Sequence, residues 1–172
     1  MRSAVLRKGA MIVRDDVPDP EPGFGQVLVE VKACGICGSD LHFAKHGATM
    51  MARAAEMEGI PDIGRTPPDL DNDIFMGHEF SAEVLDVGPD TVGPAPGTIV
   101  TSVPIMLTGT GVQDLAYSDQ LPAGYSERML LSAPMLNEVP NGLDHRHAAL
   151  TEPMAVGFHA VNRSGIGQRD GA

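Results

Sequence analysis

Residues 26–42 have the sequence QVLVEVKACGICGSDLH, and the two halves of this stretch differ in character. The first half alternates Val27, Val29 and Val31 with longer or charged side chains, which is the period-two pattern of a half-buried β-strand. Glycines then interrupt the pattern, and two cysteines lie three residues apart. The stretch therefore predicts a strand that ends in a glycine-broken turn with reactive side chains, followed by a short helix at residues 40–45.

Strand patterns recur outward from this stretch at short spacing. Residues 2–7 and 10–14 predict a hairpin. Further strands are predicted at residues 80–87, 97–103 and 125–131. The chain contains 20 glycines and 14 prolines, and short strands separated by such turn residues are typical of a β-barrel or a β-sandwich.

Helical patterns are confined to other segments. Helices are predicted at residues 50–58, 144–150 and 152–163. The last of these places Met154, Phe158 and Val161 on one apolar face. Residues 61–73 are rich in proline and aspartate and predict a loop.

The composition is that of a folded, acidic protein. Its 172 residues are 42% hydrophobic and 20% charged, with a formal net charge of −11. Twelve scattered Lys and Arg do not form the basic face that a nucleic acid or an anionic membrane requires. No run of 18 apolar residues predicts a membrane span. Two cysteines cannot build a disulfide framework, so we expect a reducing compartment, the cytoplasm.

Side chains that bind zinc occur at three places along the chain. Cys34 and Cys37 follow the first long strand, a Gly-His-Glu triplet lies at residues 77–79, and Glu152 starts the last predicted helix. Thiolate, imidazole and carboxylate are donors for zinc, and three protein ligands with an open fourth position define a catalytic zinc site. Each piece alone is ambiguous, because a Cys-X-X-Cys pair also serves redox chemistry or packing and a single histidine is often structural.

Four motifs, taken in order, carry a resemblance to a known family. CGICGSDLH, GHEFSAEV, GYSERMLL and EPMAVGFHAV resemble the N-terminal catalytic domain of zinc-dependent medium-chain alcohol dehydrogenases, in particular the threonine and polyol dehydrogenase branch. The resemblance covers most of residues 1–165 and implies a mainly β fold, a GroES-like, partly open β-barrel with short helices. It also implies a local insertion at about residues 47–73, and a linker at residues 166–172 toward a nucleotide-binding Rossmann domain.

The resemblance assigns a metal site. Cys37, His78 and Glu152 match the positions that would hold one catalytic zinc. Glu79 matches the acid beside the zinc that can exchange with a ligand. The open position would then take the oxygen of a small-molecule alcohol substrate.

The resemblance also assigns a route for the proton. Ser39 matches the hydroxyl that takes the proton of the alcohol, and His42 matches the imidazole that passes it to solvent. Asp40 would orient His42 or support the hydrogen bonds of the zinc site.

Two features of many family members are missing from the sequence. Residues 104–121 contain no cysteine, so we expect no second, structural zinc. No Gly-X-Gly-X-X-Gly follows a predicted strand, so we expect NAD or NADP to bind in a cofactor domain of the full-length protein, beyond Ala172. This chain alone should then be inactive. Its last helix should present an apolar face that favours that domain or self-association.

The sequence therefore predicts the catalytic domain of a zinc-dependent, NAD(P)-dependent dehydrogenase that oxidises an alcohol, polyol or amino alcohol. An alternative is a zinc-binding or thiol-redox module without dehydrogenase activity, in which Cys34 and Cys37 form an oxidisable pair. A protein-binding module is a third hypothesis, which rests on the analogy of the fold with a co-chaperonin.

Overall fold

The computed structural model describes residues 1–56 and 67–167, and in these it contains eleven strands and three α-helices. The strands are β1 (Ser3–Arg7), β2 (Ala10–Arg14), β3 (Gln26–Cys34), β4 (Ile74–Met76), β5 (Phe80–Val87), β6 (Ile99–Ser102), β7 (Ile105–Thr108), β8 (Gly111–Asp114), β9 (Tyr117–Ser118), β10 (Arg128–Ser132) and β11 (Leu136–Glu138). The helices are α1 (Gly38–Glu56), α2 (His145–Ala148) and α3 (Thr151–Ser164), and a single 3-10 turn covers Ala133–Met135.

The described strands form three antiparallel sheets. A five-stranded sheet has the order β10-β3-β5-β6-β11, and a four-stranded sheet has the order β2-β1-β4-β9. The strands β7 and β8 form a separate hairpin. The mainly β architecture and the β1–β2 hairpin predicted from the sequence are therefore confirmed.

The core of the five-stranded sheet follows the alternation of β3. Val27 and Val29 are completely buried, and they pack in one cluster with Val84 of β5 and with Met129 and Leu131 of β10. Full burial of each such side chain contributes about 1.5–3 kcal/mol to folding. The same pattern that predicted the strand thus also explains why β3 lies at the centre of the sheet.

The pairing of β3 with β5 determines where the reactive side chains meet. Cys34, at the end of β3, is paired with Phe80, at the start of β5. The ladder continues one step further, since the Gly35 amide donates to the Glu79 carbonyl over 2.7 Å. Because the strands are antiparallel, the residues after Cys34 and those before Phe80 must be neighbours.

The helices differ from the prediction in their boundaries. The segments predicted as separate helices at residues 40–45 and 50–58 are joined in α1, with non-helical dihedral angles at His46 (φ −136°, ψ 21°). Residues 57 and 58 of the second prediction, and residues 61–66 of the predicted loop, lie outside the described residues. Helices predicted at residues 144–150 and 152–163 are confirmed as α2 and α3.

Two parts of the strand prediction need correction. The strand predicted at residues 125–131 begins only at Arg128, because the Tyr125 amide donates to the Met76 carbonyl and the Ser126 amide closes a turn onto Ala123. Residues 104–121, for which no element was predicted, form β7, β8 and β9 around the buried side chains of Met106 and Leu115.

Helix α3 stands apart from the core. None of its residues is buried. Met154, Phe158 and Val161 are 69%, 71% and 57% exposed, so the predicted apolar face is open to solvent. Within residues 1–56 and 67–167, no helix combines the length and apolar character that crossing a membrane requires.

Candidate metal centre

Three potential metal ligands converge where β3 ends and β5 begins. Cys37, His78 and Glu79 each offer a ligand atom, and these atoms all lie within 4.8 Å of one another. Ligands of one tetrahedral zinc lie about 3.5–4 Å apart, given zinc–ligand bonds of about 2.0–2.3 Å. Small side-chain movements would therefore close the group around a metal ion, and its thiol, imidazole and carboxylate suit zinc.

A bend in the chain lets two consecutive residues serve one site. In an extended strand the side chains of His78 and Glu79 would point to opposite faces of the sheet. The chain instead bends at Glu79 before β5 begins. Gly35 makes room on the other side, since a Cβ there would lie 2.2 Å from Glu79 Oε2. A residue with a side chain at position 35 would displace the Glu79 carboxylate.

The imidazole of His78 is held by a buried carboxylate. Asp40 Oδ1 and His78 Nδ1 lie 3.4 Å apart, and neither atom has a hydrogen-bond partner within the described part of the chain. The Asp40 carboxylate is the largest cause that raises the pKa of His78, to about 9, against the opposing effect of burial. Nδ1 therefore faces Asp40, which leaves Nε2 as the ligand atom toward Cys37 and Glu79.

The pKa of Asp40 is lowered despite its burial. Burial is the largest single influence and would raise the pKa, but the hydrogen bonds from Tyr125 and the Cys37 amide, together with the nearby His78 imidazole, outweigh it. Asp40 is only 3% exposed, so these donors replace the water that a carboxylate otherwise needs. The side chain is therefore ionised at neutral pH.

The two residues predicted to move a proton lie on the first turns of α1. Ser39 Oγ is 3.3 Å from His78 Nε2, so the hydroxyl lies beside the atom that would bind the metal. His42 is exposed, and its ring centroid is 4.9 Å from that of His46. Because Ser39 and His42 are three residues apart on a helix, they share one face.

The predicted ligand Glu152 is not part of this group. It lies half-buried in the first turn of α3. The group of three ligand-bearing side chains found in residues 1–56 and 67–167 contains Glu79 instead. The structure thus brings together two of the three predicted ligands, Cys37 and His78, and adds the carboxylate predicted to lie beside the metal.

The second cysteine has a different environment. Cys34 is half-buried, and burial is the main cause that raises the pKa of its thiol to about 12. Its Sγ donates to the Gly35 carbonyl over 3.5 Å. Cys34 is therefore a protonated packing thiol at neutral pH.

Two tyrosines near the site were not identified from the sequence. The Tyr125 hydroxyl donates to Asp40 Oδ2 over 2.7 Å. Tyr117 stacks on Phe43 and meets the ring of His78 edge-on at 6.0 Å. Tyr125 lies in the motif GYSERMLL and Tyr117 in none of the four motifs, but no spacing in the sequence connects either hydroxyl to the site.

Comparison with known proteins places this geometry in a family. Residues 23–141 match the model of the alcohol dehydrogenase GroES-like domain. The (R,R)-butanediol dehydrogenase of Bacillus subtilis is 32% identical over 174 residues, which is 96% of this chain and 47% of that protein. The sorbitol dehydrogenase of Halalkalibacterium halodurans is 28% identical over 165 residues, which is 89% of this chain and 42% of that protein.

The fold is also found among solved structures. A crystal structure assigned to a zinc-binding dehydrogenase from Sinorhizobium meliloti, bound to NADP, superposes with a TM-score of 0.70 and 29% identity. The superposition covers 96% of this chain and 46% of the Sinorhizobium meliloti chain. The chain thus spans about half the length of the relatives that it matches. It belongs to the zinc-dependent medium-chain alcohol dehydrogenase family and corresponds to the GroES-like domain of that family.

Proposed function

We propose that this chain is the zinc-binding catalytic domain of an NAD(P)-dependent dehydrogenase that oxidises an alcohol, polyol or amino alcohol. The convergence of Cys37, His78 and Glu79, with the Ser39 hydroxyl beside His78, is the observation that carries the proposal. The similarity to butanediol and sorbitol dehydrogenases supports a substrate with more than one hydroxyl group. We place the protein in the cytoplasm because both cysteines are free.

The side chains of the site have different roles in deprotonating an alcohol. Zinc held by Cys37, His78 and Glu79 would act as a Lewis acid on the alcohol oxygen. Ser39 Oγ, next to His78 Nε2, is placed to accept the hydroxyl proton of a substrate at that position while it passes its own proton on toward His42. His42 lies one turn further along α1 and is exposed, so it is placed to release the proton to water.

Hydride transfer requires a second binding site. The acceptor must be held about 3–3.5 Å from the carbinol carbon, and a nicotinamide is usually held by a glycine-rich turn at a helix N-terminus. We therefore propose that residues 1–165 form the zinc-binding domain and residues 166–172 lead toward a cofactor domain. Turnover is expected from the two domains together.

The redox alternative has an observation against it. Thiol–disulfide exchange needs a thiolate, and the pKa of Cys34 is raised to about 12 by burial. A Cys34–Cys37 pair would therefore undergo thiol–disulfide exchange slowly. A zinc site that uses Cys37 alone fits the two cysteine environments better.

Metal analysis and calorimetry test the proposal. The purified chain should bind one zinc per chain and should show no turnover with polyols and no micromolar affinity for NAD or NADP. A chain that binds no zinc, but cycles between dithiol and disulfide, would support the redox module instead. Micromolar cofactor binding would contradict the proposed division into two domains.

The proton route has a separate test in the full-length enzyme. Ser39→Ala should lower turnover by about 10²- to 10⁴-fold, because a positioned acid–base group is lost. Ser81→Ala is a matched control, since Ser81 is buried and its hydroxyl donates to the His145 carbonyl. Retained activity in Ser39→Ala would reject the role of Ser39.

A further inference from the structure

The tyrosine at position 125 is fixed by backbone contacts directly behind the metal ligands. Its amide donates to the Met76 carbonyl over 2.9 Å, and its carbonyl accepts from the Ala4 amide over 3.0 Å. Its ring lies on Gly77, where a Cβ would approach Tyr125 Cδ1 to 2.7 Å and where φ is +99°. The glycine before His78 therefore serves two purposes: it allows the turn and it admits the ring.

The hydroxyl of Tyr125 is a hydrogen-bond donor to Asp40. It lies 2.7 Å from Asp40 Oδ2, and it also contacts the Gly35 carbonyl at 3.2 Å. Burial, followed by the Asp40 carboxylate, raises the pKa of Tyr125 well above its usual range, so the hydroxyl keeps its proton. The Cys37 amide donates to the same carboxylate oxygen over 3.0 Å.

These contacts divide the two oxygens of Asp40 between two tasks. Oδ2 accepts from Tyr125 and from the Cys37 amide, whereas Oδ1 has no partner but faces His78 Nδ1 at 3.4 Å. A carboxylate fixed through one oxygen can direct only the other toward the imidazole. The orientation of the His78 ring is thereby linked to a phenol on the far side of Asp40.

We propose that Tyr125 is a positioning residue of the metal site, whose hydroxyl holds Asp40 so that Asp40 in turn orients His78 with Nε2 toward the metal. The proposal rests on the proposed zinc site. Without the hydroxyl, Oδ2 keeps one donor, and the carboxylate is free to rotate toward the vacated space. His78 then loses the partner that fixes its ring and its tautomer, and groups that orient a metal-bound histidine in this way are typically worth about 10- to 100-fold in metal affinity.

The test compares two variants that each lose one phenol oxygen near His78. Tyr125→Phe removes the donor to Asp40, whereas Tyr117→Phe removes a hydroxyl that has no hydrogen-bond partner among the described residues. Zinc affinity is measured by competition with a chelator, and Co²⁺ absorption reports the geometry of the site. We expect Tyr125→Phe to weaken zinc binding about 10- to 100-fold and to alter the Co²⁺ spectrum. Tyr117→Phe should stay within about threefold of wild type, since no hydrogen bond to a metal-orienting group is lost.

A double-mutant cycle separates positioning from general damage. If Tyr125 acts through Asp40, the losses in Tyr125→Phe and Asp40→Asn should not add in the double variant. Additive losses would assign Tyr125 a structural role and overturn the proposal. So would a Tyr125→Phe chain that fails to fold, or one that binds zinc like wild type.

Nuclear magnetic resonance of the metal-free chain keeps this proposal distinct from the proposed function. The imidazole ¹⁵N signals of His78 should shift in Tyr125→Phe and stay in place in Tyr117→Phe. Unchanged signals in Tyr125→Phe would contradict the positioning role. A wild-type chain that binds no zinc would instead contradict the proposed function, while the histidine signals still decide whether Tyr125 orients His78.

Discussion

Two regions of the molecule fix the positions of their side chains differently. One is the β3–β5 junction, which comprises residues 34–42 and 77–80, and the other is helix α3. At the junction, the ladder between β3 and β5 fixes the backbone, and His78 and Asp40 are buried. In α3 no residue is buried, and Phe158 is 71% exposed. The positions of junction side chains therefore follow from strand register, whereas those of α3 side chains depend on what the helix packs against.

This difference explains the outcome for the predicted ligands. Cys37 and His78 meet because antiparallel pairing leaves no other arrangement for the residues that flank Cys34 and Phe80. Glu152 lies in the first turn of α3, outside the group that contains Glu79. A metal site built from the junction alone should thus form independently of α3, whereas a site that needs Glu152 should depend on the packing of α3.

The largest effect is expected from removing a ligand at the junction. Cys37→Ser should weaken zinc binding by about 100- to 1,000-fold, since roughly 10–16 kcal/mol of binding free energy is shared among the ligands of a structural zinc. Cys34→Ser is the matched control, because Cys34 is three residues away and donates to a backbone carbonyl. Chelator competition measures both. Equal losses in the two variants would mean that both cysteines bind the metal.

The second prediction concerns the stability of the junction without metal. The pKa of His78 is raised to about 9, chiefly by Asp40, against an unfolded value of about 6.5. The pair therefore stabilises the folded state fully below pH 6.5 for as long as Asp40 stays ionised, and this contribution of about 3 kcal/mol is lost as the pH rises through 9. Urea unfolding of the metal-free chain should show the midpoint falling across this window.

Asp40→Asn is the control for that pH dependence. The variant removes the group that raises the pKa of His78 most, so its unfolding midpoint should fall much less between pH 6.5 and 9 than that of wild type. A wild-type midpoint that falls equally little would show that Asp40 and His78 do not interact as described.

The third prediction compares one carboxylate from each region. Glu79→Gln should weaken zinc binding by about 10- to 100-fold, because a neutral amide replaces a charged oxygen ligand in the group around Cys37. Glu152→Gln should change affinity in this chain by less than about threefold, since Glu152 lies outside that group. A larger loss of zinc affinity in Glu152→Gln than in Glu79→Gln would show that α3 provides the third ligand and that Glu79 does not bind the metal.

The smallest effect on stability is expected in α3. Phe158→Lys should change the free energy of unfolding by less than about 0.5 kcal/mol, since the side chain is exposed, but it should reduce self-association of the chain. Sedimentation velocity over a range of concentrations measures this. Val92→Lys is the control, because Val92 is 96% exposed and lies outside α3. A wild-type chain that stays monomeric throughout would contradict self-association through this face.

Sequence periodicity predicted the parts of the fold in which a strand has one buried face. The alternation in β3 and β5 located both strands, and the apolar spacing of α3 located that helix. β4 was missed because its three residues are all buried and leave no alternation. Tyr125 was predicted in a strand because its neighbours alternate. Its amide instead donates a hydrogen bond to the Met76 carbonyl, 49 positions away, and a local sequence pattern cannot predict such a contact.

The site shows the same limit. The family resemblance carried by the sequence motifs predicted Cys37 and His78 as ligands, and the structure brings their ligand atoms within 4.8 Å together with Glu79. Which carboxylate lies with them could not be predicted, because this depends on the bend at Glu79 and on the space above Gly35. The contact of Tyr125 with Asp40 depends likewise on tertiary packing.

X-ray absorption spectroscopy of the zinc-loaded chain tests the central claim most directly, that the junction alone holds the metal. The fine structure should give one sulfur at about 2.3 Å and two or three nitrogen or oxygen ligands at about 2.0–2.2 Å. Glu152→Gln should leave this spectrum unchanged, whereas Cys37→Ser should remove the sulfur. Two sulfur ligands, or a sulfur that survives in Cys37→Ser, would contradict a site built from Cys37, His78 and Glu79.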